Sequence, residues 1–225
     1  EIIDEMVKKG VSTREELEDA CANFEFQSYS FLKEDMLGKV NRMEGFLFPT
    51  TQAFDPEKTA VYDIDTMLTN FVAQFDDDMM ADINASGYSL HDIVTIASII
   101  EKEGIGDETE RKNIASVLYN RLNTTDRETY GYLQLDTTIY YALSLEGKDK
   151  TAFDKDLDSP YNTYKYAGLP AGPICCPGME SIRAAVYPNE TDYYYFAAGK
   201  DGVNHFFKTY DEHLAFINSD MYQPD

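Results

Sequence analysis

Tryptophan is absent from the 225 residues, cysteine occurs three times, and cations are scarce: 19 Lys and Arg stand against 41 Asp and Glu, a net charge of −22. The shortage of cations excludes a general nucleic-acid binder, whose affinity rests on cationic contacts to phosphate. It also disfavours direct docking on anionic lipid. Cys21, Cys175 and Cys176 are odd in number and two are adjacent, which is no disulfide framework. His91, His205 and His213 share no ligand spacing, and neither a Cys-x-x-Cys pair, a nucleophile elbow nor a glycine-rich phosphate loop occurs. No metal or cofactor is expected. The longest apolar stretch, Val94–Ile100, is far short of the roughly 18 residues of a membrane span. The chain opens on Glu1 with neither an initiator Met nor a signal peptide, and reads as a piece excised from a longer protein.

What is present is tyrosine and phenylalanine, 17 and 13 residues, in a chain that is 43% apolar. That is too apolar for a disordered acidic polymer. A chain of this length supports one large domain, or one with a small appendage, without covalent staples.

Capping signals and periodicity give a helix-rich α+β fold. Ile2, Ile3, Met6 and Val7 have helical spacing, and Gly10 stops them. Thr13 and Glu16 form a capping box before a second short helix. Residues 25–43 read as irregular, and Glu44–Pro49 as a short aromatic strand or turn. One long helix capped by Asp65 or Thr66 is expected to run to Gly87. Ser89 and Asp92 open the next, to Gly104; further helices fall at 108–122 and from Asp136 or Thr137 to about Leu145. The stretch 159–178 holds four Pro and three Gly and reads as a long ordered loop. A short helix follows at 180–187. Two strands, Tyr193–Ala198 and Asn204–Thr209, form a hairpin, and Thr209 with Glu212 caps a last helix.

On the helix after Ser89, at 100° per residue from Leu90, Glu101 falls at about 20° and Glu103 at about 220°. Glu101 therefore points toward the core or a cleft wall, among Val94 and Ala97, and Glu103 away from it. Desolvation raises a carboxyl pKa, as a general acid near neutral pH requires. The competing reading is a half-buried Glu paired with Arg for structural reasons. Arg121 lies on an apolar helix face with Ile114, Val117 and Leu118, and a buried guanidinium calls for an acidic partner or a ligand. Glu101, Glu44 and Asp136 are candidates. The loop Ser159–Tyr164 sets Tyr161, Asn162, Thr163 and Tyr164 on a proline-stiffened backbone. Aromatic faces beside amides and hydroxyls suit a sugar, though an ordinary packed loop has the same composition.

Ala97-Ser98-Ile99-Ile100-Glu101-Lys102-Glu103 resembles the signature of the MltG (YceG-like) family of endolytic murein transglycosylases. Further stretches match in order: Glu44–Pro49, Asn120-Arg121-Leu122, Leu133–Thr138, Ser159–Tyr164, Gly168–Ile174 and Pro177-Gly178. Several motifs in sequence are specific where one alone is not. The departures are local: Pro49-Thr50-Thr51-Gln52 and Asp136-Thr137-Thr138 differ from the family's usual wording, and Cys175-Cys176 replaces smaller residues.

The resemblance implies residues 1–43 as the remnant of a LysM-like accessory segment and 44–225 as the catalytic domain. It implies peptidoglycan glycan strands as substrate, cleaved between N-acetylmuramic acid and N-acetylglucosamine with a 1,6-anhydro end and termination of growing strands. Glu101 would be the single catalytic acid and base, with Arg121, Gln134, Asp136, Tyr161, Asn162 and Tyr164 binding substrate. Cell-wall synthases would be partners. The location would be the extracytoplasmic face of the bacterial membrane, reached through an N-terminal anchor absent from this chain. A non-catalytic glycan-binding scaffold and a hydrolytic glycosidase pairing Glu101 with Asp136 are the alternatives.

Overall fold

Most helix starts follow their capping side chains. α1 spans Ile2–Lys8. α2, Arg14–Asn23, begins with a complete Thr13–Glu16 capping box. The described residues of 25–43 lack regular structure except for one 3-10 turn at Glu34–Met36. The segment 60–86 is two helices, where the apolar spacing suggested one. α3, Ala60–Val72, starts earlier than expected, at Thr59, whose hydroxyl accepts the Tyr62 N–H. α4, Asp77–Ser86, starts afresh because Asp76 accepts the Met79 N–H at 2.8 Å and the acidic run 76–78 favours a helix N-terminus. Gly87 closes α4 at φ +82°, a conformation that costs glycine nothing. This computed structural model describes residues 1–39, 41–48, 54, 57–125 and 129–224.

α5, Leu90–Glu103, has the Ser89–Asp92 capping box. His91 and every residue from Ile93 to Ile100 are buried, so it is covered on all sides and not along one stripe. It packs against α4, α6 (Glu108–Asn123), α7 (Asp136–Leu145) and α8 (Met179–Val186). Residues 41–47 turn without forming a strand; Pro49 and Thr50–Gln52 lie outside the described residues. The turn delivers Phe46 to a ring cluster, 4.9 Å from Phe31 and 5.7 Å from Phe71 between centroids. Removing one such ring costs about 3–5 kcal/mol. Met6, Leu17 and Phe31 belong to the same buried cluster as Ile99 and Ile182.

β1 (Tyr195–Ala198) and β2 (Asn204–Phe207) pair antiparallel, Tyr195 opposite Phe207 and Ala198 opposite Asn204. The hairpin is tied to the end of α5 by one buried carboxylate. Glu110 accepts the N–H groups of Ile105, Gly106 and Asn204 and the Asn204 side-chain amide, which also donates to the Glu103 carbonyl. A charge so enclosed is tolerated because donors surround it. α9, Tyr210–Ile217, covers the hairpin behind its Thr209–Glu212 box. Among the described residues the architecture is α+β, helix-rich with one two-stranded sheet.

Candidate active site

The long loop 159–178 is pinned to α5 by backbone-like bonds. The Ser98 hydroxyl accepts the Ile174 N–H at 3.0 Å, and the Cys175 thiol reaches the Ser98 carbonyl at 3.4 Å. On the other side the turn interlocks with the same loop. A Cβ on Gly45, at φ +90°, would lie 2.5 Å from the Pro173 ring, so only glycine lets the turn pass this close to the loop. Between turn, loop, the end of α5, α7 and α1–α2 lies a groove of about 870 Å³. Its walls include Glu101, Lys102, Glu44, Asn41, Thr137, Tyr140, Tyr141 and Lys150. Small-molecule sites are commonly about 300–1,000 Å³.

Glu101 stands at the mouth of α8. Its carboxylate accepts the Ser181 hydroxyl at 2.6 Å and the Gly178 N–H at 3.3 Å. Gly178 caps α8 with no side chain of its own, so Glu101 supplies the anionic partner that a helix N-terminus favours. Glu101 is exposed, not half-buried as the helical wheel suggested, and Glu103 is the more enclosed of the two. Glu103 accepts the Thr137 hydroxyl at 2.6 Å across α7. The wheel assumes one buried face, whereas α5 is buried all round and only its last turn emerges; neighbours, not the wheel, decide which side of that turn stays open.

Glu44 is half-buried opposite, its Oε2 accepting the Tyr141 hydroxyl at 3.3 Å. Asn41 donates to both the Tyr141 and Tyr161 hydroxyls, at 3.3 and 2.7 Å. Burial pushes the Glu44 carboxyl above the usual glutamate range, while the Tyr141 hydroxyl and Lys102 pull it back. Burial also pushes the Cys175 and Cys176 thiols up to about 12 and about 11. Lys102 and Lys150 face the groove with no carboxylate within ion-pair distance among the described residues. Lys150 lies over the Tyr140 ring at 4.5 Å.

Of the residues expected to catalyse or bind substrate, Glu101 alone lines this groove. Arg121 is buried, yet its partners are backbone: Nε donates to the Tyr194 carbonyl at 2.7 Å and Nη1 to the Leu133 carbonyl, with the Tyr195 ring 5.5 Å away. The expected bond to Glu101, Glu44 or Asp136 is replaced by these carbonyls, and burial lowers its pKa to about 10. Asn162 is buried and saturated. It donates to the Lys155 and Leu157 carbonyls, both 2.8 Å, and accepts from the N–H groups of Tyr164 and Lys165. It builds the loop and does not face the groove. Tyr161 is buried, stacked edge-on to Tyr141 at 4.9 Å, behind the groove wall. Tyr164 donates to Asp136, at the first turn of α7. Gln134 is exposed, at a left-handed φ of +53°, its N–H on the Thr163 carbonyl. Asn41, Tyr140 and Tyr141 line the groove but did not stand out as site residues, and Glu44 did so only as a possible partner of Arg121. The available signals were an acidic residue before a buried aromatic turn and paired tyrosines on one helix.

A helix-rich α+β unit with a carboxylate-bearing groove of tyrosines and amides is a class of site suited to polar ligands with apolar faces. The pattern of the YceG-like family matches residues 1–219. The chain is 39% identical over 172 residues to the endolytic murein transglycosylase of Bacillus subtilis, covering 76% of this chain and 46% of that protein. It is 34% identical over 165 residues to the endolytic murein transglycosylase of Streptococcus pneumoniae D39, covering 70% of this chain and 28% of that one. The crystal structure of a YceG-like protein from Listeria monocytogenes aligns with TM-score 0.80 at 34% identity, over 96% of this chain and 71% of that chain. The chain belongs to the YceG-like family. It spans less than half the length of these two transglycosylases. Among the described residues no helix is long and apolar enough to cross a membrane.

Proposed function

We propose that this chain carries the catalytic groove of a peptidoglycan lytic transglycosylase, with Glu101 as its single acid and base. The observation that carries the reading is the placement of Glu101: an accessible carboxylate at the groove wall, oriented by Ser181 and Gly178. Glu101 as the acid gives its proton to the glycosidic oxygen between N-acetylmuramic acid and N-acetylglucosamine. The muramic C6 hydroxyl attacks its own C1, the glycosidic bond breaks, and the resulting Glu101 carboxylate takes the C6 hydroxyl proton. The product is a 1,6-anhydro end and no water is consumed, unlike the two-carboxylate scheme of most glycosidases. Tyr140 offers a ring face for sugar C–H groups, and Lys102 and Lys150 offer cations to the acidic stem peptides. These cations share the groove with the carboxylates of Glu1, Asp4, Glu18, Glu44 and Glu101.

In this reading residues 1–43 are the end of a LysM-like accessory segment and 44–225 the catalytic unit; Ile2, Ile3 and Arg14 at the groove edge fit an accessory segment that helps to hold the strand. The activity would act outside the cytoplasm, close to the membrane and to cell-wall synthases, releasing or terminating growing strands. Gln134, Asp136, Tyr161, Asn162, Tyr164 and Arg121 support it at one remove, by fixing the loop and α7. The test is digestion of purified peptidoglycan by the protein and by Glu101→Gln, with muropeptide ends identified by mass spectrometry. Anhydro ends from the first and none from the second support the proposal. Reducing ends mean a hydrolase; binding without cleavage means a scaffold.

A further inference from the structure

Glu44 is a groove carboxyl to which the reading above assigns no task. Four observations bear on it. It lies in the same groove as Glu101, and the Cys175 thiol between them feels the charge of both. Its backbone is fixed, since Gly45 is interlocked with Pro173 and Val94. Its side chain is oriented by a hydrogen-bonded chain in which Asn41 holds the Tyr141 and Tyr161 hydroxyls and Tyr141 donates to Oε2. Its Oε1 has no hydrogen-bond partner among the described residues. A carboxyl held this way, half desolvated and with accepting capacity left over, is arranged to receive a donor from outside the protein. Burial that raises its pKa supports the same picture, because the cost of enclosing it is offset when a ligand donates to it.

We propose that Glu44 is a second substrate-contacting carboxyl of the groove, accepting a hydroxyl or acetamido N–H of the sugar unit held opposite Glu101. The proposal rests on the groove being a glycan site. It assigns Glu44 to holding and orienting the sugar, with Tyr141 as the residue that positions Glu44; the proton transfers stay with Glu101.

The test uses the 225-residue chain in two assays. In a Glu101→Gln background, binding of an N-acetylglucosamine tetramer is measured by calorimetry, with and without Glu44→Gln. In the Glu101-intact protein, kcat and KM on purified glycan strands are compared for wild type, Glu44→Gln and Tyr141→Phe. Losing one charge-assisted hydrogen bond predicts roughly tenfold to hundredfold weaker binding or lower kcat/KM for Glu44→Gln. Tyr141→Phe keeps the ring against Tyr161 and predicts a smaller loss, about threefold to tenfold, at unchanged melting temperature. It also carries the test should Glu44→Gln fold poorly. Values within twofold of wild type for a folded Glu44→Gln overturn the proposal, as does an unaffected Tyr141→Phe if Glu44→Gln does not fold. Wild-type cleavage that needs Glu101 but not Glu44 leaves the transglycosylase reading intact and removes this inference. Tetramer binding that needs Glu44 in a protein that cleaves nothing does the reverse.

Discussion

The Ser181 hydroxyl donates to the Glu101 carboxylate at 2.6 Å, joining the last turn of α5 to the first turn of α8. Glu101 therefore has two tasks. It completes the N-terminus of a helix that Gly178 leaves uncapped, and it presents a carboxyl to the groove.

Glu101→Gln keeps an oxygen for Ser181 and Gly178 but has no transferable proton. General acid–base catalysis supplies about 10²–10⁴-fold, and in the proposed reaction one group serves both steps. Anhydromuropeptide release is expected to fall by that factor or below detection, at unchanged melting temperature. Glu103→Gln preserves an acceptor for Thr137 and is expected to stay within about tenfold of wild type. Equal losses in the two variants, both folded by circular dichroism, would place the acid elsewhere.

Ser181→Ala removes the hydroxyl that orients Glu101 and leaves no charge stranded, since Glu101 reaches solvent. Its hydrogen bond to a charged group is worth about 1.5–3 kcal/mol at most. Turnover is expected to fall roughly tenfold, with KM little changed, in the same muropeptide assay.

Asn162→Ala is expected to act on stability. It strips partners from two loop carbonyls and two N–H groups in a buried setting, a loss of about 1–3 kcal/mol or more. For a chain of this size that lowers the melting temperature by several degrees, about 2–4 °C per kcal/mol. Activity measured well below the transition should survive; lost activity at unchanged melting temperature would instead return Asn162 to the groove.

Asp92 gives a pH dependence. The His91 ring nitrogen 4.0 Å away and the Ser89 hydroxyl and N–H hold its carboxyl well below the usual aspartate range, against the opposing effect of burial. A depressed pKa means that the folded state binds this proton less readily than the unfolded one. Its stabilisation is complete above the ordinary aspartate value and drains away as pH falls below about 4. Urea titrations at pH 7 and pH 3 should show a smaller loss for Asp92→Asn than for wild type.

Cys175 and Cys176, with pKa values held up to about 12 and about 11 by burial, remain thiols at neutral pH. Iodoacetamide at pH 7.5 is expected to label the folded protein slowly, by intact mass. Cys175→Ala with Cys176→Ser should leave glycan cleavage within a few-fold.

The sequence by itself determined whatever depends on a few neighbouring residues. The boxes at Thr13–Glu16, Ser89–Asp92 and Thr209–Glu212 set three helix starts because each is closed by side chains three positions apart. The motif order pointed to the family, and the Gly and Pro content of 159–178 marked an ordered loop. Tertiary structure decided the rest. Whether Glu101 or Glu103 is enclosed depends on where α7 and α8 press on the last turn of a helix already buried all round. Asn162 and Arg121 carry chemistry that suits a ligand equally well, and only packing shows that loop carbonyls and strand carbonyls consume it. Glu44 was marked only as a possible partner of Arg121, for the converse reason: its surroundings, Tyr141 from α7 and the Pro173 loop, lie about a hundred or more residues away in sequence. No local pattern carries that distance; only the folded chain brings them to one groove.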